Sequence, residues 1–349
     1  MLRHSLYFTS PRQVSLREES LPPPDPGQVL VQTILSAISP GTELLIYRGQ
    51  APQDLAADTK IAALTGTLAF PLKYGYAAVG RVVALGPDVA PRWQGALVFS
   101  FHPHESFFLA NPDELLPVPP GLAPEDAAFL PNTQTAVILV LDGKPLIGEN
   151  VAVFGQGIVG LLLTALLAAF PLARLVTLDR CPNRRLASES LGAHASLDPL
   201  RPDVLAELSA AFKSGGHDPG ADLAFEISGN PEALNQALAV TGFHGRIVIG
   251  SWYGTKKSEL NLGGLFHRQR QVLIASQVST IAPELTGRWT RDRVLDVAWQ
   301  MVHKIKPARF ITHRFPLAQA AQAYELLDRH PEEAIQVVLT YDSEVSGMQ

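Results

Sequence analysis

VAVFGQGIVG, Val151 to Gly160, is the stretch on which the reading of this chain turns. Glycines 155, 157 and 160 fit G-x-G-x-x-G, a pattern that carries weight only in the right surroundings. Here the surroundings are right on both sides, with NVAVF supplying a strand and IVGLLLTALLAAF a helix. Gly155 would allow the tight turn, Gly157 the close approach of main chain to a pyrophosphate, and Gly160 close packing of the helix on the sheet. The turn residues Gln156, Ile158 and Val159 then face the phosphates through the positive end of the helix. Nineteen residues past Gly160, at the end of the next strand, stands Asp179, placed to accept hydrogen bonds from an adenosine ribose. A carboxylate there repels a 2′-phosphate and favours NAD(H). Arg180, with Arg184 and Arg185 after it, keeps NADP(H) open.

Composition narrows the setting. At 349 residues the chain exceeds one ordinary core, so two domains are expected. Hydrophobic content of 46 % against 17 % charged residues describes a globular protein. A net charge of −5 argues against nucleic acid, which needs a basic face. The single cysteine, Cys181, rules out an intramolecular disulfide and any multi-cysteine zinc site, and makes a cytoplasmic setting the default. The apolar run Ile158 to Phe170 is short of the roughly twenty residues of a membrane span, and MLRHSLYFTSPRQV reads as a strand rather than a signal peptide. No membrane role is expected.

The texture changes along the chain. Before residue 120, GQVLVQTILSAI, AAVGRVVALG, GALVFSF and ESFFLA are short β-rich runs broken by Pro and Gly, as in an irregular antiparallel domain. PVPPGLAPEDAAF is a connector that opens a helix at Glu125 and Asp126. Strands then alternate with helices: ARLVTLD, RRLASESLG, ADLAFEIS, NPEALNQALAV and GRIVIGS predict a parallel sheet covered on both faces. RDRVLDVAWQMVH is a further amphipathic helix. The tail ITHRFPLAQAAQAYELLDRHPEEAIQVVLTY predicts strand, helix, strand, the last strand joining the first domain.

This order of parts resembles the medium-chain dehydrogenase/reductase superfamily over nearly the whole chain. The likeness is carried by SAISPGTELLIYRG, KYGYAAVGRVVALGPDV, LPNTQTAVILVLDGKPLIGENVAVFGQGIVG, LGAHASLD and IVIGSWYG. The resemblance implies an α/β protein: a GroES-like β-rich catalytic domain over 1–120, completed by about 308–349, and a Rossmann doubly wound parallel-sheet domain over 121–307. LPNTQTA, FGQGIVGLL, GSWYGTK, LGGLFHRQR and ASQVST are most similar to the branch that includes bacteriochlorophyllide a dehydrogenase. Zinc-dependent members carry G-x-C-G-T-D and G-H-E. Here those positions fall on Ser39 or Pro40 and on Gly75-Tyr76-Ala77, and a third ligand position falls near Pro131 or Asn132. Zinc wants several Cys, His or carboxylate donors, so no metal is expected.

Without a Lewis acid, hydride transfer needs protein proton donors or acceptors. By family position FSFHPHESF lines the substrate side of the cleft, so His102 and His104 are candidate acid–base groups, or loop histidines with structural bonds. Thr42 is a candidate proton relay beside Glu43, which braces the loop. Tyr76 either donates to a substrate oxygen or fills the vacated metal pocket. Asn132 and Thr135 are nicotinamide neighbours or N-capping groups; Ser228, Gly250 and Ser251 mark strand ends where a dinucleotide lies. Glu226 is expected to be structural or near the adenine ribose. The leading expectation is a zinc-independent NAD(P)-linked oxidoreductase acting on a secondary alcohol or carbonyl of a small-molecule substrate. An NADPH-dependent enoyl or quinone reductase and a non-catalytic dinucleotide-binding protein are the alternatives. Relatives dimerise by pairing Rossmann edge strands, and QVLIASQVS is a suitable edge for a homodimer.

Overall fold

The structure is a computed structural model, and it describes residues 1–212 and 220–341. Residues 342–349, the end of the segment expected to return to the first domain, lie outside the described residues. The chain divides into two compact units, Met1–Pro131 with Lys306–Gln349, and Asn132–Ile305.

The second unit is built on a six-stranded sheet. Its order is Ala195–Leu197, Arg174–Leu178, Asn150–Phe154, Ala221–Glu226, Thr241–Ile249 and Val272–Ala275, with every neighbouring pair parallel. The strand Asn150–Phe154 is buried along its full length, which is why it reads as a continuous apolar run rather than an alternating one. Helices Ile158–Leu167, Pro182–Ser190, Val204–Ala211 and Pro231–Val240 connect strands. Ala152, Phe154, Val176, Leu178, Leu208, Phe212, Ala224 and Leu234 share one core beneath them. From Asn150–Phe154 the chain first builds outward to one side and then crosses to Ala221–Glu226 on the other. The strand order therefore reverses between these two neighbours, and ligands of doubly wound sheets bind beyond the carboxyl ends at such a point. The turn at Gly155 sits there.

The strand Ala195–Leu197 and the helix Val204–Ala211 are absent from the sequence expectation. Three strand residues are too few to show a period.

The first unit carries two sheets. One is three-stranded, Gln13–Ser20, Leu2–Ser10 and Leu72–Lys73, all antiparallel. The other runs in the order Ile311–Pro316, Gln336–Thr340, Val29–Ala37, Ala78–Leu85, Leu97–Ser100, Leu116–Pro117, and Phe107–Ala110 also pairs with Val29–Ala37. The strand Gln336–Thr340 lies antiparallel to Val29–Ala37, with Val338 opposite Ala37, and so pairs within the first unit. The first unit is thus a GroES-like β-rich domain and the second a Rossmann domain.

SPGTELLIY forms a helix over Pro40–Tyr47, with Pro at its first position and Glu43 in its first turn. Proline is pre-set for a helix start and an acid there meets the positive end of the dipole. Leu44, Ile46 and Tyr47 then pack into one core with Leu6, Phe8 and Tyr324.

Candidate active site

In the glycine turn, Gly155 has φ +100° and a Cβ on it would lie 2.6 Å from the Ser228 main chain. A Cβ on Gly160 would lie 2.1 Å from the Gly155 carbonyl oxygen. Neither position admits a side chain. Gly157 differs: it is the N-cap of Ile158–Leu167, no side chain caps it, and a Cβ there meets nothing within 4 Å. Packing within the protein does not require this glycine. Open space over an uncapped helix N-terminus fits a dinucleotide pyrophosphate. Ile158 turns its side chain into the core.

Asp179 is nearly buried. Its Oδ2 accepts the Gln156 N–H at 2.7 Å and its Oδ1 the Cys181 N–H at 2.8 Å, so the carboxylate ties the end of its own strand to the glycine turn. Arg180 is exposed, whereas Arg185 is turned onto the Asp179 and Arg180 carbonyls at 2.8 and 3.0 Å. The expectation that Gln156 faces the cofactor needs correcting for its side chain. That side chain has no exposed surface, donates to the Gly155 carbonyl at 3.0 Å and accepts from Thr164 Oγ1 at 2.9 Å. It shapes the turn from inside.

At the next strand ends, fully buried Glu226 accepts from Ser228 N–H at 2.9 Å, from Ser228 Oγ at 2.5 Å and from the Tyr253 hydroxyl. Burial, and then the Glu226 charge, push the Tyr253 phenol up. Ser251 Oγ accepts the Gly229 N–H at 2.9 Å. Ser228 and Ser251 therefore belong to a cluster that holds the loop after the strand, with Glu226 at its centre. Asn132, buried, and Thr135, half-buried, lie on the opening turns of the helix Leu130–Gly143.

The first unit holds a second polar group. The Tyr76 hydroxyl donates to Ser39 Oγ at 2.5 Å and lies 3.3 Å from Thr42 Oγ1. Burial, reinforced by the Glu43 charge and opposed by the two hydroxyl bonds, pushes the Tyr76 phenol up to about 12. It is a protonated donor at neutral pH. Glu43 braces the loop from below, its Oε1 accepting the Ser39 N–H at 2.7 Å.

The histidines do not meet at this point. His104 has no exposed surface, and both ring nitrogens are engaged: Nδ1 with Ser36 Oγ at 2.7 Å, Nε2 with Glu43 Oε2 at 3.0 Å. Ser36 Oγ also meets the Tyr341 hydroxyl at 2.7 Å, and Tyr324 donates to Glu43 Oε2. The expectation that His104 exchanges a proton with substrate is therefore corrected: a ring with no surface and no spare nitrogen is a strut. His102 stacks on Phe108 with ring centroids 3.9 Å apart and bonds Glu105 at 2.8 Å. Through Glu105 it joins Arg3, Lys73 and Ser5, a cluster at the three-stranded sheet with no member among Ser39, Thr42 and Tyr76. The HxH spacing would put both rings on one face of a regular strand, but residues 101–104 form no strand, so the two rings are free to turn to different surroundings. Sequence reasoning missed Ser39 as a member of the hydroxyl group, and the strut partners Ser36, Tyr324 and Tyr341. An N-cap serine before Pro-Gly-Thr-Glu was the one available signal.

The donor set does not fit a catalytic zinc. Ser39 and Tyr76 are hydroxyls bonded to one another, and the nearby Glu43 and His104 are buried against each other. Among the described residues, the one cluster of three His, Cys, Asp or Glu ligand atoms is exposed His330, Glu332 and Glu333, on a different segment.

Comparison with known proteins agrees with this architecture. A family model described as zinc-binding dehydrogenase matches residues 159–288. The (R,R)-butanediol dehydrogenase of Bacillus subtilis (strain 168) is 30 % identical over 290 residues, covering 74 % of this chain and 81 % of that protein. The chain belongs to the medium-chain, zinc-type alcohol dehydrogenase-like family. An uncharacterised zinc-type alcohol dehydrogenase-like protein of Escherichia coli (strain K12) is 26 % identical, covering 92 % of this chain and 94 % of its own. Among solved structures, a short chain alcohol dehydrogenase from E. coli CFT073 complexed with NADH superposes with a TM-score of 0.77 at 18 % identity, over 97 % and 99 % of the two chains. At that identity the likeness speaks for the fold. This alcohol dehydrogenase-like chain is an oxidoreductase of a family whose matched relatives are zinc-type. Among its described residues no helix is long and apolar enough to cross a membrane.

Proposed function

We propose that the chain is a zinc-independent NAD(P)-dependent oxidoreductase acting between a secondary alcohol and the corresponding carbonyl of an organic substrate. The observation that carries this reading is the hydroxyl cluster of Tyr76, Ser39 and Thr42, which includes Tyr76 and Ser39, positions where the resemblance to zinc-dependent members would put metal ligands. Bound at the turn of Gly155, Gly157 and Asp179, a nicotinamide dinucleotide supplies or accepts hydride. Asp179 supports NAD(H) over NADP(H), because its carboxylate sits nearly buried against the turn with Arg185 directed to main-chain carbonyls rather than toward a phosphate. The E. coli CFT073 structure in complex with NADH is in keeping with that choice.

The protein's own groups do the rest. Tyr76 holds a proton at neutral pH, and Thr42 places a second hydroxyl beside it. His102 stays a candidate acid–base group only at a distance from this cluster, through its bond to Glu105. LPNTQTA and FGQGIVGLL support a place beside the bacteriochlorophyllide a dehydrogenase-like branch. The apolar strand Val272–Ala275 ends the six-stranded sheet, and pairing it with the same edge of a second copy would cover its open main-chain groups as a homodimer. A buried, single cysteine supports a cytoplasmic site of action.

The test is a screen of secondary alcohols, ketones, enones and quinones with NAD(H) and NADP(H), followed at the nicotinamide absorbance, on protein assayed for metal. Turnover of alcohols or ketones by metal-free protein is expected. Near-stoichiometric zinc in the active protein overturns the metal-free mechanism, and turnover confined to enones or quinones overturns the substrate class.

A further inference from the structure

We infer that the second unit holds a further binding site for a small organic cation, a compact apolar body with one amine end, with no residue of the glycine turn among its walls. The site lies within that unit alone and does not depend on the carbonyl–alcohol reading.

It is a cavity of about 300 Å³ between the helix Pro231–Val240 and the crossover that leads from Thr241–Ile249 to Val272–Ala275. That is the small end of natural ligand pockets, with room for a six-membered ring and a short arm. Asn235, Leu238 and Ala239 line it from the helix, at the spacing that shares one helix face. Leu265 and Phe266 line it from the crossover. Leu265 keeps 46 % of its surface exposed and Phe266 is half-buried, so apolar surface is available to the body of a ligand.

Hydrogen bonds fix the two walls to each other. Asn235 Nδ2 donates to the Glu259 carbonyl at 2.7 Å, and its Oδ1 accepts the Asn261 N–H at 3.2 Å. Further along the crossover, the Gln271 N–H donates to the Phe266 carbonyl at 3.1 Å. Gln271 Nε2 donates to the Leu238 and Thr241 carbonyls at 2.9 and 2.5 Å. Walls tied in this way need little ordering when a ligand enters.

The polar groups select the charge of the ligand. Glu259 is the one charged residue lining the cavity, and its carboxylate has no partner among the described residues. Glu232, three residues before Asn235 on the same helix face, is a second exposed acid. An ammonium end meets a carboxylate there, whereas an anion would be repelled. Gln271, bonded to Leu238 and Phe266 of the walls, has a buried Oε1 with no donor among the described residues. This part of the unit therefore lacks donors rather than acceptors, and an amine brings donors.

The experiment titrates 4-fluorobenzylamine into the full chain with fluorine NMR as the readout, and neutral 4-fluorobenzamide as the control. The amine is expected to bind with a Kd of about 1 mM. It should bind about fivefold tighter than the amide, the worth of one partly exposed ion pair. Glu259→Gln is expected to weaken the amine about fivefold and to leave the amide within about twofold of wild type. Ala239→Leu fills the cavity with a good helix former, and should weaken both probes about tenfold with thermal unfolding nearly unchanged. An amide bound as tightly as the amine, or an amine indifferent to Glu259→Gln, overturns the ligand class. Amine binding within about twofold of wild type in Ala239→Leu, or none up to about 20 mM, overturns the site.

Discussion

His104 Nε2 lies 3.0 Å from Glu43 Oε2, and neither side chain has any exposed surface. The pair links a helix start to a loop 61 residues later, and Tyr324 and Tyr341 extend the network to the C-terminal segment. Every polar atom of the two side chains has a partner: Glu43 has the Ser39 N–H, His104 and Tyr324, while His104 has Ser36 and Glu43. A network satisfied in this way stabilises while whole and costs heavily once one member is lost.

Removal of one partner should show that cost. Glu43→Gln is expected to lower stability by about 3 kcal/mol, because it leaves His104 facing an amide and removes the charge its neighbours solvate. Urea unfolding of wild type and variant measures it. A change below about 0.5 kcal/mol would mean that the pair contributes no more than a surface contact.

Acid stability should depend on Glu105. Burial alone would push its carboxyl up, but the bond and charge of His102, with Lys73, hold it at about 2, against an ordinary glutamate at 4.5. A carboxyl depressed in the folded state stabilises fully above the unfolded value and loses that contribution as pH falls through the folded one. Wild type is therefore expected to lose about 3 kcal/mol from this group between pH 4.5 and about 2. Glu105→Gln should be less stable at neutral pH and show a flatter acid limb in chemical denaturation. An acid limb as steep as that of wild type contradicts the assignment.

The two glycines of the turn should separate folding from binding. Gly160→Ala places a methyl 2.1 Å from the Gly155 carbonyl and is expected to destabilise by about 2 kcal/mol or more. Gly157→Ala enters open space and should leave thermal unfolding nearly unchanged while weakening NAD(H) binding about tenfold. Calorimetry on the cofactor-free protein and fluorescence titration with NADH test the two halves. Unchanged NADH affinity in Gly157→Ala would place the pyrophosphate elsewhere.

Asp179 should set the choice between the two dinucleotides. Asp179→Ser removes the carboxylate that a 2′-phosphate would meet, and is expected to raise the NADP(H)-to-NAD(H) affinity ratio about tenfold. The variant also loses the acceptor for the Gln156 and Cys181 N–H groups, so the ratio, not the absolute affinity, is the informative quantity. An unchanged ratio would remove Asp179 from cofactor selection.

The sequence alone determined the Rossmann turn and the alternation around it, because both are local. The Asn150–Phe154 strand is buried throughout, Ile158–Leu167 follows at once, and Gly160 packs on the Gly155 carbonyl of its own turn. The residue identities at Ser39, Pro40 and Tyr76, none of them Cys or His, were equally plain from the sequence. Tertiary structure alone decided what the remaining polar groups do. His102 and His104 look equivalent two residues apart, yet one bonds Glu105 near the surface and the other is sealed against Glu43 and Ser36. Ser39 meets its hydroxyl partner Tyr76 37 residues away along the chain, and Glu43 is held by Tyr324, 281 residues away. Proton chemistry depends on burial and on which partner holds each hydrogen, and both are set by contacts between segments whose separation along the chain leaves no periodic trace.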